Sequence, residues 1–192
     1  MKKAIEVIRS CSQPYVFGMI HVPALPGTPR NKLSVPEIIN VIKKETEIYA
    51  EAHVDGIIIE NMHDIPYSRR PLGPEIISTM TMASQGLDLI RAECFVFSHV
   101  ADEGWMDGCA GELLRYQKVI GAEKVAIITD IKKKHSSHSI TADISIGSMA
   151  EAAQFFLADG VILTGRCTGD QANPKDISGM YIFLNSTWVI II

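Results

Sequence analysis

KVAIITDI, residues 124–131, has five β-branched residues among its eight and closes on Asp130. A strand with one wet face alternates apolar and polar residues, whereas a parallel strand covered on both faces reads as an almost unbroken apolar run. The segment is therefore read as a buried parallel strand. Similar runs occur at VFGMIHV (16–22), VDGIIIEN (54–61), LDLIRAE (87–93) and DGVILTG (159–165), and successive starts lie 38, 33, 37 and 35 residues apart. Helix-like stretches fill the gaps at 35–52, 74–83, 108–122 and 147–158. Ser34 and Pro36 make a start for the first helix, and Ile38, Val41, Ile42 and Ile48 are expected on its apolar face. Strand then helix at a spacing of about 35 residues is the pattern of βαβ units around a parallel sheet.

Two architectures satisfy that pattern, an eight-fold (β/α)8 barrel or an open doubly wound sheet. A complete barrel usually takes ~250 residues, and this chain has 192. It offers five clear strands and a sixth in its apolar tail, so length alone favours the open sheet. The strand ends add a second signal. They carry His21, Glu60 with Asn61, Arg91 with Glu93, Asp130, and Thr164 with Gly165. In barrels and open sheets alike, ligands bind at the carboxyl ends of parallel strands.

Composition narrows the function. Eighteen Lys and Arg against 22 Asp and Glu give a net charge of −4, which provides no general attraction to nucleic acid. A hydrophobic content of 47% supports a real core and excludes disorder. The four cysteines form no CxxC pair and read as reduced thiols. No apolar run reaches the ~18 residues of a membrane span. MKKAIEVIRS (1–10) has helical spacing at Ile5 and Ile8 and an acid at Glu6. It reads better as a short helix capping the first strand than as an import leader. A cytoplasmic location is expected, with mitochondrial import as the alternative. No GxxxxGK[ST] or GxGxxG phosphate loop is present.

Five longer segments carry a resemblance. GMIHVPALPGTPR (18–30), VDGIIIENMHDIPY (54–67), 87–121 from LDLIRAE onward, TDIKKKHSSHSIT (129–141) and DGVILTGRCTGD (159–170) together resemble the BtpA family over most of residues 15–170. Members of that family include proteins linked to photosystem I biogenesis. The resemblance implies a TIM barrel of the ribulose-phosphate-binding class, incomplete here. Relative to the family, a third strand–helix unit between ENMHDIPY and LIRAE is missing. ISGMYIFLNSTWVIII (177–192) stands where further units would follow. The expectation is one barrel-like domain over 1–178, with about five to six parallel strands, and a poorly held apolar tail over 179–192 outside the family pattern.

Candidate chemistry gathers at the strand ends. Glu60, Arg91, Glu93, Asp130, Lys134 and His135 are the candidate catalytic groups, and the first five are expected to converge at one end of a parallel sheet. Asp130, Lys132 and Lys134 alternate along the strand and into its loop. Under the resemblance Asp130, Lys134 and His135 fall on the family motif, whereas Lys132 and Lys133 look incidental. His21, Asn61, Thr164, Gly165, Thr168 and Gly169 are candidate ligand-binding residues, the glycines because such turns bring backbone N–H groups to a phosphate. Each group has a plainer alternative: an ion-pair network, a solvated basic loop, or a turn needed for packing. His99 and Asp102 with His135 or His138 lack the spacing of a zinc motif, so no metal is assigned, and no cofactor can be named. The expected partner is a small phosphorylated or anionic ligand. The alternatives are a non-catalytic assembly factor or an inactive shortened form, and homo-oligomerisation stays open.

Overall fold

The computed structural model describes residues 6, 8, 15–167, 169–181 and 188–191, so most of the expected helix over residues 1–10 lies outside them. The chain falls into two compact units, one built from residues 8–87 and one from residue 88 onward.

In the first unit, β1 (Phe17–His21) is followed by α1 (Val35–Glu51), β2 (Gly56–Glu60) and α2 (Pro74–Ala83). The strands pair in parallel, in register from Phe17↔Gly56 to His21↔Glu60. α1 starts at Ser34, whose backbone N–H donates to Glu37 Oε2 at 2.8 Å. This satisfies a donor that the first turn would otherwise leave open. Ile38 and Ile42 are fully or almost fully buried and join Ile20, Val22 and Leu25 in the core. Ile48, expected on the same face, is 62% exposed. At ~100° per residue, position 49 falls within about 20° of position 38 and position 48 about 80° away. Tyr49 therefore takes the inward place. Its ring lies where a Cβ on Gly18 would stand, within 2.5 Å, and its hydroxyl donates to Met19 O at 2.9 Å. Gly18 is what lets the helix seat on β1 this closely.

The second unit runs β3 (Leu89–Ala92), β4 (His99–Ala101), β5 (Gly104–Met106), α3 (Ala110–Val119), β6 (Ala126–Ile131) and β7 (Ser136–Ser137). A 3-10 turn (Ser139–Thr141), α4 (Ile146–Phe155), β8 (Gly160–Leu163), α5 (Pro174–Tyr181) and β9 (Trp188–Ile191) complete it. Four strands form a parallel sheet in the order β3-β6-β8-β9. All six residues of β6 are buried, as its unbroken apolar run requires. Ala92, Ile127, Ile131, Val161 and Leu163 pack with Ala110 of α3 and with Met149, Ala150 and Ala153 of α4. Alternation puts Arg91, Ile128, Asp130 and Ile162 on the opposite face.

Two features differ from expectation. The tail is held, at least by backbone: Trp188–Ile191 pairs in parallel with Gly160–Leu163 over four residues. The crossover containing α5 is long enough to return the chain. A second, antiparallel sheet of order β5-β4-β7 has no counterpart in the sequence reading, because its strands have only two or three residues. It links the segment after β3 to the segment after β6. The architecture is mixed α/β with six strands paired in parallel, and no closed barrel is present among the described residues.

Candidate functional site

In the first unit, register alone brings His21 and Glu60 side by side at the carboxyl ends of β1 and β2. His21 Nε2 lies 3.3 Å from Glu60 Oε1, with both side chains about 40% exposed (41% and 39%). The His63 ring meets the His21 ring edge-on, with centroids 6.0 Å apart. Asn61 contributes its carbonyl, which accepts from Asp64 N at 3.0 Å. Buried Asp64 in turn accepts a hydrogen bond from Thr28 Oγ1. Asn31 Nδ2 donates to Ala24 O and Leu33 O. The Pro- and Gly-rich loop 23–30 is thereby fastened to the loop after β2.

In the second unit the strand ends carry a denser charge network. Arg91 is in register with Ile128, and Asp130 lies two residues further along β6 on the same face. The guanidinium reaches it with two bonds, Nε to Oδ2 at 2.8 Å and a terminal nitrogen to Oδ1 at 2.6 Å. Such a fork-on-carboxylate contact fixes the arginine plane. Glu93 does not join Arg91 but pairs with Lys133 Nζ at 2.8 Å, and Glu103 in the β4–β5 turn stands 3.9 Å from the same ammonium. Burial acts to lower the Lys133 pKa. The hydrogen bond to Glu93 and the charges of Glu93, Glu103 and Asp130 outweigh it and hold the group above its ordinary value.

Lys133 O lies 2.9 Å from His138 Nε2. A carbonyl can only accept, so Nε2 carries the hydrogen. The His138 ring sits 5.1 Å from that of His99. His99 is 6% exposed, and its pKa is lowered by burial first and then by the His138 and Lys133 charges, against the opposing pull of Glu93 and Glu103. Lys134 is half-buried and His135 exposed. Thr164, one residue past β8, has a buried hydroxyl. A Cβ on Gly165 would stand 2.2 Å from Asp170 O, so the glycine is required by the way this turn closes on itself. Gly169 adopts φ +86°, and Thr168 lies outside the described residues.

The second unit thus gathers Arg91 with Asp130, and Glu93 with Lys133, while Glu60 belongs to the first. Glu103 was missed as a site residue, Lys133 was set aside as incidental, and His99 and His138 were considered only as metal ligands. The signal for Lys133 is a backbone one. Lys132 adopts φ 47°, which breaks the period of two, so that 130, 132 and 134 no longer share a face and residue 133 turns inward. Cys94, Phe97 and His135 also have positive φ, at 51°, 57° and 55°. Four left-handed non-glycine residues in the segments after β3 and β6 are the kind of backbone outlier that clusters at functional sites. Among the described residues no group of three or more His, Cys, Asp or Glu is placed to hold a metal ion.

Fold and site together define a mixed α/β protein with parallel sheets and with ion-paired side chains at the carboxyl ends of several strands. The BtpA family model matches residues 12–87 and 82–191, and the chain belongs to that family. It is 47% identical to an uncharacterised mitochondrial protein of Caenorhabditis elegans, over 90% of this chain and 75% of the relative. That comparison spans 207 positions but takes in only 90% of this chain, about 173 of its 192 residues, so about 34 positions are gaps in this chain, close to the length of one strand–helix repeat. The chain is 29% identical to an uncharacterised protein of Pyrococcus furiosus, over 86% of this chain and 72% of the other. It is also 29% identical to the photosystem I biogenesis protein BtpA of Synechocystis, over 84% and 66% respectively. No solved structure matches the chain.

Proposed function

We propose that the chain binds a small phosphorylated or otherwise anionic ligand at the carboxyl edge of the β3-β6-β8-β9 sheet, and that this edge is the mouth of an incomplete ribulose-phosphate-binding type barrel. One observation carries the ligand. Two buried side-chain atoms, His99 Nε2 and Thr164 Oγ1, lack a hydrogen-bond partner among the described residues, and both lie in segments at or beyond strand carboxyl ends of this sheet. Leaving such groups unsatisfied costs about 1–3 kcal/mol each, and an oxyanion supplies acceptors for both a hydroxyl and an imidazole N–H. Arg91 and Lys133 supply the cationic groups at this edge; each is already held by carboxylates, Asp130 in one case and Glu93 with Glu103 in the other, which an incoming anion would have to share. The strand spacing and the family support the barrel. Carboxylate, ammonium and imidazole groups close together are also the materials of proton transfer.

The test is binding of a panel of sugar phosphates, inorganic phosphate and sulfate to the full chain by calorimetry. Saturable binding that weakens about tenfold or more in Arg91→Ala and in Thr164→Val is the expected result. Failure of every anion to bind removes the proposal. The name of the Synechocystis relative favours a second reading, an assembly factor for a protein complex. It predicts stable co-purification with such a complex and no anion binding. The name of the nematode relative supports mitochondrial residence, which imaging of a tagged full-length chain would check.

A further inference from the structure

β3 borders the second unit's sheet, with β6 along one side and no strand on the other among the described residues. Asp88 O accepts from Ala126 N. In a parallel ladder this turns the backbone groups of residues 88, 90 and 92 toward β6 and those of Leu89 and Arg91 outward. Apolar surface lies beside that open edge. Ile90 shares a face with Ala92, which packs in the core beneath the helices, yet it is 38% exposed. The helix above continues the exposure. α3 turns Ala110, Leu113, Leu114 and Gln117 toward the sheet. Ala110 and Gly111 line one cavity with Ala152 and Phe156, so the flank of residue 111 looks toward α4. At ~100° per residue, Tyr116 and Ile120 fall on the other flank, over the β3 edge, and they are 63% and 55% exposed.

We propose that this edge is a self-association surface. Two copies of the chain pair antiparallel through β3 about a two-fold axis at Ile90, which continues the sheet and packs the Tyr116–Ile120 flanks of the two α3 helices together. The edge is complementary to itself. Leu89 exchanges both backbone hydrogen bonds with Arg91 of the partner subunit, and Arg91 does so with the partner subunit's Leu89. Ile90 meets Ile90 of the partner subunit as the closer, non-hydrogen-bonded pair. Each arginine faces a leucine rather than its own copy and keeps its bonds to Asp130. The helices fit the same rotation. α3 leads from β3 to β6 and so runs over that pair of strands. With strands about 4.8 Å apart, the two-fold sets the α3 axes about 10 Å apart, at the separation of packed helices. The charged residue nearest this flank is Glu112, one turn before Tyr116, and antiparallel packing puts its two copies at opposite ends of the strip. A strand and a helix are thereby supplied together. That is the kind of unit absent where the family match breaks, at residues 82–87 just ahead of β3.

Light scattering on the full chain over a concentration series is expected to show monomers passing to dimers and no further. Deuterium uptake over 89–92 should slow as the concentration rises. Ile120→Lys and Tyr116→Asp place like charges across the axis and should each weaken association about tenfold or more, with the monomer's melting temperature unchanged. Phe155→Lys, 81% exposed at the end of α4, should leave association as it is. The pairing also brings the two Cβ atoms at position 90 to about 4.5–5.5 Å. In a Cys167→Ser background, Ile90→Cys should therefore yield on mild oxidation a covalent dimer joined through position 90. A chain that stays monomeric at every concentration overturns the inference, as would follow if another segment or a different protein covers the edge. So does a dimer indifferent to both Ile120→Lys and Tyr116→Asp, a dimer that oxidation does not join through position 90, or growth beyond two copies.

Discussion

Asp130 has no exposed side-chain surface and receives Arg91 on both oxygens. Deleting one partner of such a pair leaves the other charge without an answer, at a cost of about 3–5 kcal/mol when both are buried. Arg91 keeps 28% of its side-chain surface, so Asp130→Ala should fall at or below the lower end of that range, read from denaturant midpoints. Two neighbours set opposite pH limits on stability. Lys133 is held above its ordinary value by Glu93 and Glu103 once their pull has overcome burial. Its contribution is complete below the ordinary lysine pKa of about 10.4 and is lost as pH rises through the higher folded value. His99 is shifted down by burial and by His138 and Lys133. Its neutral form costs nothing above about pH 6.5, and stability declines from there as pH falls toward the folded value. Melting temperatures across pH should show a shallower alkaline limb in Lys133→Met and a shallower acid limb in His99→Gln. The candidate acids Glu60, Glu93 and Asp130 were visible from sequence because strands end where apolar runs end. Lys133 was hidden because a single left-handed residue at 132 inverts the expected alternation, and nothing in the KKK run marks which lysine adopts it.

Elements differ in how plainly they are written. α2 is bounded by Gly73 and Pro74 at its start and occupies Pro74–Ala83, the span expected. The short β4–β5 hairpin instead turns through Asp102 and Glu103 into Gly104 at φ +111°. Three residues per strand are too few for periodicity to register. α1 depends on a contact invisible to helical pattern alone, the Tyr49 ring filling the space over Gly18. Gly18→Ala would force that ring away, and a loss of about 1–3 kcal/mol is expected, measured by chemical denaturation. Tyr49→Phe, which keeps the ring and removes only the bond to Met19 O, should cost about 1 kcal/mol. The tail was expected to be loose because residues 165–181 hold Gly169, Pro174 and Gly179 and little helical pattern. A short helix nonetheless forms at Pro174–Tyr181, and the strand after it pairs. Removal of residues 188–192 should therefore lower the melting temperature by several degrees, and an unchanged melt would show that β9 contributes nothing.

At the scale of the whole molecule, one unit contains a two-stranded parallel sheet and the other a four-stranded one. The sequence spacing foretold the strands but could not say which would be neighbours, since parallel pairing is decided by crossovers and not by local composition. The strand order carries a consequence for how the backbone meets solvent over time. Among the described residues β6 and β8 have a partner on each side, whereas β3 and β9 border their sheet and β1 and β2 have only each other. An amide in a doubly flanked strand surrenders its hydrogen only when a large part of the unit opens, while one on a border can do so through local fraying. Deuterium incorporation followed by mass spectrometry should therefore be slowest over 126–131 and 160–163, and faster over 89–92 and 56–60. The slowest peptides would then be the ones that carry Asp130 and lead into Thr164, so the ground beneath the proposed anion site is the part of the chain least given to opening.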